Sequence, residues 1–149
     1  MCNIKSLSPS HILTNQVELL LVSESAQKTI DVVANVFKSE YAEIPLCISV
    51  VQASEGFELY STKTCDPSEM EAITVLGLIA FEELKTSITS RTNEKINILI
   101  FRTAERECYV APVSDDIFLV AAAAPGTVGN VMPLLDGLSA QVQYELSKL

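Results

Sequence analysis

The chain has no tryptophan, a single histidine and only five glycines in 149 residues. The histidine, His11, lies in an irregular leader. A Ser-His or Cys-His dyad would have to use it, and no surrounding pattern supports either, so no catalytic residue is expected. Two of the glycines frame Gly126-Thr127-Val128-Gly129, ahead of a helical pattern. A phosphate-binding loop needs Lys-Ser/Thr after its glycines, and Asn130-Val131 stands there, so the run reads as a strand-to-helix turn. The four cysteines, Cys2, Cys47, Cys65 and Cys108, include no CxxC spacing. No His/Cys/Asp/Glu cluster has metal-ligand spacing either, so neither metal nor cofactor is expected. Cys47 and Cys108 sit in apolar runs, where a reduced cysteine packs as a small hydrophobe. With no Asn-x-Ser/Thr sequon, this points to a reducing compartment, a Cys47–Cys65 bridge being the alternative.

Positive charge is scarce as well: 10 Lys and Arg against 19 Asp and Glu leave a net charge of -9. Such a chain repels phosphate backbones and anionic membrane surfaces. The densest basic stretch, Lys85, Arg91 and Lys95, is interleaved with Glu82, Glu83 and Glu94. Nucleic acid is therefore not an expected partner, whereas a basic protein surface is compatible. The longest apolar run, Ile117 to Pro125, is far short of the roughly 20 residues of a spanning helix, and MCNIKSLSPS at the start lacks the apolar core of a secretory signal. The expectation is a soluble, cytoplasmic protein without membrane insertion.

Apolar residues are abundant, 48% against 19% charged. One domain of this length buries about two-thirds of its unfolded surface, and the apolar excess suggests a further surface buried against another chain. Residues 1–24 read as an extension in which 16–22 fit a strand or a helix, the strand being favoured; residues 25–149 read as one domain. Ser25 to Tyr41 has a helical apolar face of Ala26, Ile30, Val33, Ala34 and Phe37. Leu46–Val51 and Phe57–Tyr60, around Ala53-Ser54-Glu55-Gly56, make a β-hairpin. Asp66-Pro67-Ser68-Glu69 supplies a cap, a preset φ and a negative charge at a helix start, and the helix should run to about Ser90.

That helix carries too much apolar surface for one sheet. Met70, Ile73, Leu76, Gly77, Ala80, Phe81, Leu84 and Ile88 form one stripe; Val75, Leu78 and Ile79 begin a second. A helix apolar over more than half its circumference is buried on more than one side. Gly77 fits close approach either to a partner helix or to its own sheet. Lys95–Phe101, Arg106–Val113 and Ile117–Ala123 then read as three strands, joined by turns too short for parallel crossovers. Ser114-Asp115-Asp116 is the last of those turns, and the alanines after it let a helix lie close. The final helix is expected from an Asn130 cap, with Pro133 in its first turn and Leu134, Leu135, Leu138, Val142 and Leu146 as its stripe.

This order, with ILIFRTAERECYVAPVSDDIFLVAAA over Ile98–Ala123 and the trailing amphipathic helix, resembles the roadblock/dynein light chain family over about Ser25 to Leu149. The resemblance implies an α/β (α+β) fold of profilin-like topology. It is an antiparallel five-stranded sheet between a middle helix on one face and N- and C-terminal helices on the other. It also implies dimers that pair their middle helices and join sheets edge to edge through the strand after that helix. Many members are platforms or regulators for small Ras-like GTPases, and some are dynein subunits. Residues 1–22 have no clear counterpart in the family. On this sequence the expected dimer interface is Val75, Leu78, Ile79 and Glu82 of the helix with Asn97 and Leu99 of the next strand.

Remaining charged groups offer little chemistry. Asp115-Asp116 reads as a turn. Glu82-Glu83 reads as a solvated face or as an acidic rim for a basic partner. Arg91, Arg102 and Arg106 invite an arginine-finger reading, but reach to a phosphate is not legible in sequence and none is assigned. The expectation is a non-enzymatic dimeric scaffold or regulator, pairing with itself or a paralogue and binding a small GTPase. The alternatives are a small-ligand sensory domain, a dynein-type cargo adaptor or, less in keeping with the sequence, an enzyme.

Overall fold

The computed structural model describes residues 24, 27–38, 46–62 and 66–149. The expected strand at 16–22, His11 and Cys65 lie outside these residues. Residues 24 and 27–38 are helical (27–38 is α1). Then follow β1 (Cys47–Gln52), β2 (Phe57–Ser61), α2 (Pro67–Thr92), β3 (Leu99–Arg102), β4 (Glu107–Pro112), β5 (Ile117–Ala123) and α3 (Val128–Ser147). The strands form one sheet in the order β2-β1-β5-β4-β3, every neighbouring pair antiparallel. The expected fold class, sheet and helix placement are all present.

β4 and β5 are nearly continuous apolar runs because both sheet faces are covered. Tyr109, Ala111, Leu119 and Ala121 point into the core shared with Val33, Val36 and Phe37 of α1 and Leu135, Leu138 and Val142 of α3. Cys108, Val110, Phe118, Val120 and Ala122 point the other way, into the core shared with Met70 and Phe81 of α2. The alanines of β5 thus serve both faces. On the first face Phe37 stacks on Tyr60, centroids 4.2 Å apart, and the Tyr109 hydroxyl donates to Asp136 at 3.0 Å, tying β4 to α3.

Two element starts differ most from expectation. β3 begins at Leu99, not Lys95. In the register Leu99↔Val110, the next rungs would set Ile98 against Ala111 and Asn97 against Pro112, which has no N–H to give a ladder. α3 begins at Val128, so Asn130 is not its cap, and Pro133 falls inside the helix rather than in its first turn. α2 spans 26 residues, about 39 Å at 1.5 Å per residue. Strands of six or seven residues reach only about 20–24 Å. The helix outruns the sheet, so Leu84 is exposed rather than packed. Leu76 points outward, and Leu134 of α3 is exposed too.

Candidate interaction surface

α2 starts where its cap residues require. The Asp66 carboxylate accepts from the Ser68 amide at 3.0 Å and the Ser68 hydroxyl at 2.8 Å. These bonds, the hydroxyl first, hold its pKa below the usual carboxylate range. The helix ends at Asn93, left-handed with φ 59°. Met70, Thr74, Gly77 and Phe81 face the sheet. Gly77 is needed there: a Cβ would lie 2.9 Å from Val110 Cγ2 and 3.7 Å from Phe101. Of the two readings of Gly77, its own sheet is the observed one.

The outward side of α2 leaves large aliphatic side chains in solvent: Val75 is 49% exposed, Leu76 63% and Ile79 52%. Beside it runs β3, an edge strand with one side unpaired among the described residues, and its Ile100 is 47% exposed. An open strand edge is a template for pairing with another chain. Among the expected interface residues, Val75, Ile79, Glu82 and Asn97 are exposed, while Leu78 and Leu99 are half-buried within the α2-side core. Asn97 precedes β3 rather than lying in it. A groove of about 650 Å³ opens beneath the overhanging end of α2, with Lys85, Thr89, Ile96, Asn97 and Asp115 in its walls.

The other singled-out groups are committed to the fold. Asp116 accepts from the Ser54 amide at 2.9 Å and from the Ser54 hydroxyl. The β4–β5 turn is thereby latched to the β1–β2 turn, and the Asp116 carboxyl sits below its ordinary pKa, chiefly through the Ser54 hydroxyl. Arg106 lies 3.5 Å from Glu69, and Arg102 is paired with Glu107. Arg91 sits in the last turn of α2. Glu83 and Asp115 are exposed. Among the described residues, no group of three or more His, Cys, Asp or Glu is placed to hold a metal.

Glu107 was not legible as a key residue. It is only 5% exposed, and its carboxylate accepts from the amides of Gly126 at 2.6 Å and Val128 at 3.1 Å. Thr127, at the cap position of α3, makes no side-chain cap bond. Glu107 satisfies these helix-start donors from the neighbouring strand. The Gly126 amide, then Arg102, lower its pKa. Two of the amides that a phosphate would seek in Gly126–Gly129, those of Gly126 and Val128, are already occupied by this carboxylate. A lone glutamate in an apolar strand was the available signal.

The cysteines divide. Cys108 is free and buried, and burial raises its pKa. Cys47 is disulfide-bonded, which corrects its reading as a reduced hydrophobe. It opens β1 at the half-buried strand end.

No protein-family model matches the chain, and no curated protein does. Solved structures do. MglB of Myxococcus xanthus matches at TM-score 0.62 and 14% identity, over 82% of this chain and 97% of that one. An MglB with a tetrameric arrangement matches at TM-score 0.60 and 12% identity, over 82% and 90%. A Roadblock/LC7 domain from Streptomyces avermitilis matches at TM-score 0.54 and 13% identity, over 71% and 90%. The antiparallel five-stranded sheet with its three helices is an α+β fold that matches these neighbours: the chain has the roadblock/LC7 fold.

Proposed function

We propose that the protein is a member of the roadblock/LC7 family and a non-catalytic scaffold or regulator. In this reading two copies, or a copy and a paralogue, pair through α2 and β3, and the paired helices bind a small Ras-like GTPase. The carrying observation is the exposed aliphatic face of Val75, Leu76 and Ile79 beside an open sheet edge. Contiguous exposed apolar surface of this kind marks protein–protein contact. The MglB solved with a tetrameric arrangement is support from a protein of the same fold. Val75, Leu78, Ile79, Glu82, Asn97 and Leu99 border the pairing surface, and Leu76, on the outward side of α2 and turned from Leu78, is left for the GTPase.

A cytoplasmic site follows from that class of partner. No helix among the described residues is long and apolar enough to cross a membrane. The disulfide at Cys47 is the feature least typical of a reducing compartment.

Sedimentation velocity tests the pairing, and binding of a panel of small Ras-like GTPases in GTP-analogue and GDP forms tests the partner. The expected results are a dimer, binding that prefers one nucleotide state, and loss of binding but not of dimer in Leu76→Arg. A monomer overturns the pairing. A dimer that binds none of the panel overturns the GTPase reading.

A further inference from the structure

We infer that Glu71 of each copy forms an ion pair with Lys85 of the other, on either side of a two-fold axis at Leu78; this rests on the self-pairing proposed above. Glu71, Leu78 and Lys85 are seven residues apart, so they share one stripe of the helix, drifting about 20° per step. The stripe lies on the β3 flank. Lys85 lines the groove with Ile96 and Asn97, on the approach to β3, and Leu78 packs on the core that also holds Leu99 and Phe101. The opposite flank turns to β1, where Ile73 and Cys47 line one hollow. The Glu71–Leu78–Lys85 stripe is therefore what α2 presents to a chain joining at β3.

The height of the stripe is fixed as well. Gly77 stands against Val110 and Phe101, and Val110 is the register partner of Leu99. The middle of α2 is thus level with residues 99–101, the middle of β3. A two-fold axis joining two β3 edges at their centres passes level with Leu78. Across such an axis a residue seven before Leu78 meets one seven after it, so each contact occurs twice. Glu71 and Lys85 are both exposed, and neither has an ion-pair partner among the described residues. Parallel helices would instead set Glu71 against Glu71 and Lys85 against Lys85. Glu82 falls opposite the Thr74–Val75 turn of the second copy, so the outer pair sets the orientation.

The test is the dimer dissociation constant from sedimentation at low and high salt. Glu71→Lys and Lys85→Glu each place like charges at two symmetric contacts, and each should weaken the dimer about tenfold or more at low salt. The double variant E71K/K85E should return to within about threefold of the native chain, and all these differences should shrink at high salt. Both positions are exposed, so circular dichroism melts at high dilution should match the native chain and report that folding is intact. A native chain that is monomeric overturns self-pairing and this inference with it. A native dimer that single reversals leave unchanged, or that the double variant does not restore, keeps self-pairing and overturns the ion pair.

Discussion

The two faces of the sheet are built to different standards. Among the described residues, the face under α1 and α3 holds a cluster of sixteen buried residues, while the face under α2 holds eight. The first is closed by two helices and fastened by the Tyr109–Asp136 hydrogen bond. The second is roofed by one helix that touches the sheet along a single stripe and leaves aliphatic side chains in water. The division assigns stability chiefly to the first face and association to the second.

Substitutions can break or sharpen that division. The largest effect is expected from Leu138→Ala on the closed face, where Leu138 is fully buried. A cavity there should cost about 3 kcal/mol, read from urea midpoints at unchanged slope. A loss below 1 kcal/mol would mean the closed face is loosely packed and the contrast is wrong.

Gly77→Ala tests whether the open face is nevertheless tight where it touches. Helix propensity alone should gain about 1 kcal/mol. The 2.9 Å approach to Val110, a branched side chain locked in the core, should outweigh it, for a net loss of about 1–2 kcal/mol. A stabilised variant would show that α2 can lift off its sheet at little cost.

The smallest effect is expected at Tyr109→Phe, which should cost about 1 kcal/mol at neutral pH through the lost hydrogen bond. It also has a pH mark. Burial, then the Asp136 carboxylate against the opposing Ser139 hydroxyl, raise the Tyr109 pKa from 10.0 to about 12. Above pH 10 the unfolded chain releases this proton while the folded chain keeps it, so stability present below pH 10 falls as pH rises toward 12. Thermal melts across that window should show the fall in the native chain and less of it in the variant. Equal slopes would mean that the phenol is not held as described.

Features written in contiguous residues were legible. Asp66-Pro67-Ser68-Glu69 announced α2, and Ser114-Asp115-Asp116 announced a hairpin turn, because caps and turns are satisfied within a few residues. What was missed depends on residues far apart. The late start of β3 needs the rung opposite Pro112. The true beginning of α3 needs a carboxylate from Glu107, 19 and 21 residues before the amides it accepts. At the candidate surface, the excess of aliphatic residues was readable along α2. Which of them point outward was not, since Leu76 shares the spacing of core residues and only the stripe through Met70, Thr74, Gly77 and Phe81 sorts inner from outer.

The latch between Asp116 and Ser54 has a practical consequence for anyone re-engineering this chain. Two loop tips that look like free ground for an inserted epitope or reporter are stitched to one another, so lengthening either one would prise apart the strand ends behind both. The tip at Thr103–Glu105 lies away from this stitch and is the better graft point.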